Sequence, residues 1–269
     1  VGDLLAPNAP LPVPVIALNR SGSNTAAGEN SLQFALAPED EAAQLARLAF
    51  ADGHRRALLV RPAGEWGTKM EHSLRDTWRR LGGSLAATAT FSSRETQSSS
   101  LTAAMDLGAS GQRAADLRRQ LAQPIEISRR RREDIDSVFL LAPSAGDARS
   151  LKPLLAYHYA GSLPAYATSS ANSDEGRVEE NDLNGLTLVE MPRILSGASA
   201  TGSLRGDGYE RLSALGADAC RLAGLGIQSF IAQGPILQGD TGFLSVNGQG
   251  QVERDLEPAV FDRGALRRR

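Results

Sequence analysis

The sequence predicts an α/β protein with mainly parallel sheets flanked by helices, and three observations support this. Ile135, Val138, Phe139, Leu140 and Leu141 form a short apolar run that ends at Ala142-Pro143, the pattern of a strand buried on both faces. Ser144 then offers a helix cap, Leu151, Leu154 and Leu155 mark one helix face, and Gly161 supplies a stop before a second strand at 163–167. The same alternation recurs between residues 34 and 91. Strand–helix–strand units of this length join parallel neighbours through right-handed crossovers.

From the amino end, Leu4-Leu5 and residues 13–18 are apolar pieces separated by a Pro-rich connection. Val15-Ile16-Ala17-Leu18 reads as a buried strand closing in Asn19-Arg20-Ser21-Gly22, a turn composition. Phe34-Ala35-Leu36 is the next strand. It leads to Pro38-Glu39-Asp40-Glu41, with proline at a first helical position and acids over a helix N-terminus. Residues 57–60 are a strand, 61–67 a loop at its carboxyl end, and Met70, Leu74, Trp78 and Leu81 one face of a helix stopped by Gly82-Gly83. Residues 85–91 form a further strand.

Residues 92–128 break this rhythm. They are Ser-rich at the start, and the expectation is a surface insertion with at most a short helix at 117–121. The basic run 129–132 meets Glu133, Asp134 and Asp136 at once and is read as paired within the molecule or as a solvated edge, ahead of a phosphate-binding patch. A strand at 186–189 leads to Pro192, and a Gly/Ser-rich connection follows. A helix at 209–225 carries Leu212, Leu215, Ala219 and Leu222 on one side. Asn247-Gly248 between Gly242–Val246 and Val252 signals a hairpin.

Composition narrows the function classes. A chain of 269 residues, 41% hydrophobic, suffices for two lobes. A net charge of −2 argues against a general nucleic-acid binder. No apolar run reaches the roughly 18 residues that span a bilayer, and a chain starting at Val1 is read as a fragment. The single cysteine, Cys220, excludes an internal disulfide and is read as a buried structural thiol. His54, His72 and His158 fall in three elements without a second ligand type at metal spacing, so neither a metal nor another cofactor is expected. G-x-S-x-G and Walker spacings are missing, Gly64–Lys69 included, and nothing pairs two acids across a reacting bond. No enzyme is required.

Ligands of open α/β sheets bind beyond the carboxyl ends of the strands. The residues at those ends are Asn19, Ser21, Glu39, Trp66, Ser144, Ser169 and Ser170. Small hydroxyls there suit a cleft and suit caps and turns equally. Trp66 either stacks on a ligand or packs on its own lobe, and Glu39 either meets an ammonium group or complements a helix start.

Four strings carry a family resemblance: FALAPEDEAAQLARLAFADGHRRALLVRP (34–62), RRLGG (79–83), DIDSVFLLAPSAGDARSLKPLLAYHYAGSLPAYATSS (134–170) and LNGLTLVEMPRIL (183–195). They resemble the carboxy-terminal domain of the LpoA-type outer-membrane lipoproteins, less so in 92–128 and 196–208. The resemblance implies a two-lobed, type I periplasmic-binding-protein-like fold joined by a hinge. Residues 1–36 and 193–248 would form the first lobe, and 37–192 with 249–269 the second. Val1-Gly2-Asp3-Leu4-Leu5 resembles the family's VGPLL strand, with Asp3 in place of proline, which implies that the first βα units of that lobe and a lipidated amino terminus are missing here. The implied role is non-catalytic: activation of a class A penicillin-binding protein, the bifunctional transglycosylase/transpeptidase, by protein–protein contact in the periplasm. The competing reading is a periplasmic receptor for an amino acid or a peptidoglycan fragment held between the lobes.

Overall fold

The computed structural model describes residues 13–20, 30–121, 130–172, 180–201, 208–233 and 237–269. In chain order the elements are β1 (Val15–Ala17), β2 (Ser31–Phe34), α1 (Pro38–Ala51), β3 (Arg56–Pro62), α2 (Glu65–Leu81) and β4 (Ser84–Phe91). Next come α3 (Arg94–Ala104), α4 (Leu107–Leu121), β5 (Ser137–Leu140), α5 (Ala145–Tyr157), β6 (Ala165–Ala167) and β7 (Leu186–Glu190). The chain continues through α6 (Pro192–Thr201), α7 (Gly208–Leu225), α8 (Ile227–Gln233) and β8 (Leu237–Gln238). It closes with β9 (Phe243–Val246), β10 (Gln251–Asp255), β11 (Glu257–Asp262) and β12 (Ala265–Arg268).

Two compact units result. The first contains the chain up to Glu41 and Glu190–Glu257, and the second contains Ala42–Val189 and Pro258–Arg267. Of the last two residues, Arg268 sides with the first unit and Arg269 with the second. The tail expected in the second lobe from residue 249 is therefore divided. β10 hydrogen-bonds to β2 in parallel and to β9 in antiparallel, which keeps it in the first sheet, while β11 and β12 extend the second.

The first unit is a five-stranded sheet in the order β1-β2-β10-β9-β8. Leu32 and Phe34, two residues apart on β2, face Leu215 and Leu222 of α7 and Phe230 of α8, as strand and helix periods require. The hairpin between β9 and β10 is present. Asn247 anchors its four-residue loop, accepting the Gln249 and Gln251 amides at 3.0 and 3.1 Å, and Gly250 takes the positive φ of 72°. β1 is only half-buried at the sheet edge, short of the full burial its composition suggested. On α7, Leu215, Ala219 and Leu222 are buried as expected, but Leu212 is exposed. Cys220 is exposed too, correcting the reading of a buried thiol, because the sheet packs against the opposite side of the helix.

The second unit is a seven-stranded sheet in the order β12-β11-β7-β6-β5-β3-β4. From β4 through β7 every neighbouring pair runs parallel. The chain leaves β3 toward β4 and returns past it to β5. Right-handed crossovers therefore put α2 on one face and α3 to α5 on the other. On the α2 face, Trp78 meets Phe139 edge-on with centroids 5.1 Å apart and Phe50 of α1 at 6.1 Å. Its indole N–H donates to the Ser84 carbonyl at 2.9 Å. A Cβ on Gly83 would sit 2.3 Å from the same indole, so glycine is required there.

Residues 92–128 were expected to be a surface insertion. Within the described part they instead form α3 and α4, with Gln97, Leu101, Met105 and Leu107 buried. The Thr96 hydroxyl accepts the Ser92 and Ser93 amides, each at 3.0 Å, and so organises the start of α3. The basic run pairs internally where it is described: Arg132 forks onto Asp134, which also takes Arg56 at 2.7 Å.

Candidate functional site

The strand order of the second unit reverses at β3, so the chain diverges on either side of the gap between the carboxyl ends of β3 and β5. Such switch points are where open α/β sheets take ligands. Trp66 stands half-buried in the first turn of α2 beyond β3, and Ser144 caps α5 beyond β5. Ser169 and Ser170 follow β6. These four share one end of one sheet. Asn19 and Glu39 follow β1 and β2 in the other unit, and Ser21 lies outside the described residues.

Local bonding already engages several of these groups. The Ser144 hydroxyl accepts the Asp147 amide at 3.1 Å and donates to its carboxylate at 2.8 Å, a helix cap. The Ser170 hydroxyl donates to the Ala142 carbonyl at 2.7 Å and lies 2.6 Å from the Thr168 hydroxyl, tying the end of β6 to that of β5. The Asn19 side chain accepts the Arg20 amide at 2.9 Å. Among the described residues no group of three or more His, Cys, Asp or Glu is placed to hold a metal, and no helix is long and apolar enough to cross a membrane.

A second feature of this unit went unread in the sequence. At the carboxyl end of α5 the Tyr159 amide bonds the Ala156 carbonyl at 3.1 Å, and the Ala160 amide bonds that of Leu155 at 2.7 Å. This is a Schellman stop, whose turning residue is normally glycine. Here it is Tyr159, at φ 63°. Gly161, expected to be the stop, has another role: a Cβ there would press within 2.9 Å of the Ala156 side chain. Arg131 holds the turn by donating to the Tyr159 carbonyl at 3.0 Å.

The turn leaves Tyr157 and Tyr159 75% and 54% exposed. They rim a groove of about 600 Å³ between α3, α4 and the end of α5. Ser98 and Thr102 line it from α3, and Gly108, Gly111 and Gln112 from α4. The buried His158 ring accepts or donates one hydrogen bond with Ser98, 2.9 Å away, and burial holds its imidazole below the usual histidine range. An adjoining groove of about 560 Å³ shares Ser98, Thr102 and Gly108 and reaches Glu95 and Asp106. Asp106, which links α3 to α4, also has a positive φ of 57°. Of the three non-glycine residues with positive φ among those described, two therefore line this pair of grooves.

Comparison with known proteins identifies the family and the fold. The profile of the family described as LppC putative lipoprotein matches residues 3–264. The penicillin-binding protein activator LpoA of Vibrio cholerae serotype O1 is 29% identical over 253 residues, 91% of this chain and 42% of that protein. The chain thus spans less than half the length of the curated relatives it matches. Among solved structures, the LpoA (YraM) C-domain from Haemophilus influenzae, titled a regulator of PBP1A, superposes with TM-score 0.69 at 23% identity, covering 95% of this chain and 74% of that one. A putative branched-chain amino acid ABC transporter from Chromobacterium violaceum superposes with TM-score 0.65 at 28% identity, covering 93% and 74%. The fold is therefore that of the periplasmic-binding-protein-like α/β proteins.

Proposed function

The chain belongs to the LppC family of putative lipoproteins, and from that premise we propose that it is the part of a penicillin-binding-protein activator that works by contact and not by catalysis. The observation that carries this reading is the match along nearly the whole chain to proteins named as such activators. The partner would be a class A penicillin-binding protein. The setting would be the periplasm, with a lipid anchor in the outer membrane supplied from elsewhere in the full-length protein. Activation by contact requires that the protein bind the synthase's active conformation more tightly than its resting one.

The state of the candidate residues supports a holding role. Ser144 caps a helix, bonded to the amide and carboxylate of Asp147, and Ser170 ties two strand ends, so both hydroxyls are engaged in local structure. The receptor reading draws on the likeness to the ABC-transporter protein, and would use Asn19, Ser21, Glu39, Trp66, Ser144, Ser169 and Ser170. It ranks second, because the curated relatives are named for activation. A pull-down with the cognate synthase, joined to a glycan-polymerisation assay, tests the proposal. Retention of the synthase and faster polymerisation are expected, and failure of the full-length protein to bind would end it.

A further inference from the structure

We propose that the groove between α3, α4 and the end of α5 is a binding site for a neutral, N-acetylated oligosaccharide, a stretch of glycan strand. Identifying that sugar with the product of the synthase rests on the function proposed above. The chemistry of the groove itself argues for the ligand class.

Among the described residues, no formally charged side chain lines the groove that the tyrosines rim. Its described polar groups are the amide of Gln112, the two tyrosine hydroxyls, the Thr102 hydroxyl, which donates to the Ser98 carbonyl at 2.9 Å, and the bonded pair of Ser98 and His158. Such a set matches the hydroxyls and acetamido groups of a sugar, each able to donate and accept. An anionic ligand would meet no cation among the described lining, and in the adjoining groove it would meet Glu95 and Asp106, the latter paired with Arg113 at 3.5 Å. Cationic ligands find no carboxylate among the described residues of the lining. Tyr157 and Tyr159 supply what remains, two exposed rings whose faces suit the C–H side of a pyranose. Such amphipathic rings combine an apolar body with a polar tip. Gly108 and Gly111 keep the α4 wall low, so a ligand reaches the helix backbone.

The volume lies within the range of small-molecule sites, and the adjoining groove gives a longer chain room to continue. Backbone conformation adds an independent observation. A tyrosine in the left-handed region is disfavoured where glycine would be free of cost. The chain nevertheless places tyrosine at 159, with its ring outward and its carbonyl held by Arg131. A glycine at this stop would close the helix equally well and leave the groove without one wall.

The test titrates the isotope-labelled chain with the soluble β-1,4-linked tetramer of N-acetylglucosamine, with the unacetylated glucose tetramer as control, while following backbone amides by NMR. The expected result is saturable shifts in α3, α4 and residues 157–161 with a sub-millimolar Kd, and at least tenfold weaker binding of the glucose tetramer. Tyr157→Ala and Tyr159→Gly should each weaken binding tenfold or more. Tyr159→Gly relieves the backbone, so its thermal midpoint should equal or exceed that of the parent, which separates lost binding from lost folding. No shift at 10 mM sugar, shifts elsewhere, binding indifferent to both tyrosines, or a proline-rich peptide binding the groove while the sugar does not would each overturn the proposal. The synthase is absent from this titration. Failure here leaves the activator reading standing, and failure to activate leaves the sugar site standing.

Discussion

Tyr166 donates its phenolic hydrogen to Asp52 across 2.6 Å, joining the middle strand of the second sheet to the end of α1. Arg269 takes both oxygens of the same carboxylate, at 2.5 and 3.0 Å, and so fastens the tail to this unit. Burial, and then the bond to Asp52, pushes the Tyr166 hydroxyl well above the ordinary phenol range. Burial alone would raise the Asp52 carboxyl, but its bonds to Arg269 and Tyr166 outweigh that and hold it low. A raised phenol contributes stability that is complete below the unfolded pKa of about 10 and is lost as pH rises beyond it. Tyr166→Phe should cost about 1–2 kcal/mol in urea unfolding at neutral pH. It should also remove the loss of stability that the parent shows above about pH 10.

Asp134 predicts the acid limb. Its bond to Arg132, helped by Arg56, outweighs burial and holds the carboxyl down at about 2. A depressed carboxyl contributes stability that is present above the unfolded pKa of about 4 and lost as pH falls from there toward 2. The side chain is 32% exposed, so solvent screening limits the contribution to about 1 kcal/mol. The gap in unfolding midpoint between the parent and Asp134→Asn should be open at pH 5, narrow at pH 3 and close below about pH 2.

Leu101 separates the observed α3 from a surface insertion. It is fully buried, in a helix that packs on β4 and α5. Leu101→Ala should cost about 2–5 kcal/mol, whereas the same change on an exposed loop costs about 0.5 kcal/mol or less. Chemical denaturation distinguishes the two outcomes directly.

Cys220 should react as a surface thiol. It is exposed on α7, away from the face that carries Leu215 and Leu222. One equivalent of a maleimide should attach under native conditions within minutes, without change in the near-ultraviolet circular dichroism. Labelling only on addition of denaturant would contradict the position of that helix face.

Apolar runs made the parallel core legible in the sequence. Residues 57–60 and 138–141 lack polar interruption, and only a strand covered on both faces tolerates that. Helix punctuation was legible where side chain and role coincide, as at Ser144 and Gly82. α3 and α4 were hidden because serine and glycine are poor helix formers, and the helices hold through a few tertiary contacts, those of Leu101, Met105 and Gln97. The phase of α7 was half-legible. The apolar stripe ran from Leu212 to Leu222, but the sheet takes only its later part. The groove was unreadable for a different reason. It depends on α4 approaching the end of α5, and on a tyrosine turning where the glycine two residues later looked like the stop. Candidate residues at strand ends followed from topology alone, which explains why Trp66, Ser144, Ser169 and Ser170 share one sheet end while several of their polar groups serve the fold.

The most direct test of activation by contact is the initial rate of glycan-strand polymerisation by the cognate class A synthase, measured as the full-length protein is titrated in. A saturable, severalfold acceleration is expected, at concentrations that match the binding curve of the pair and unchanged by Ser144→Ala. A flat rate across a range where binding is complete, or acceleration abolished by that single hydroxyl, would contradict it.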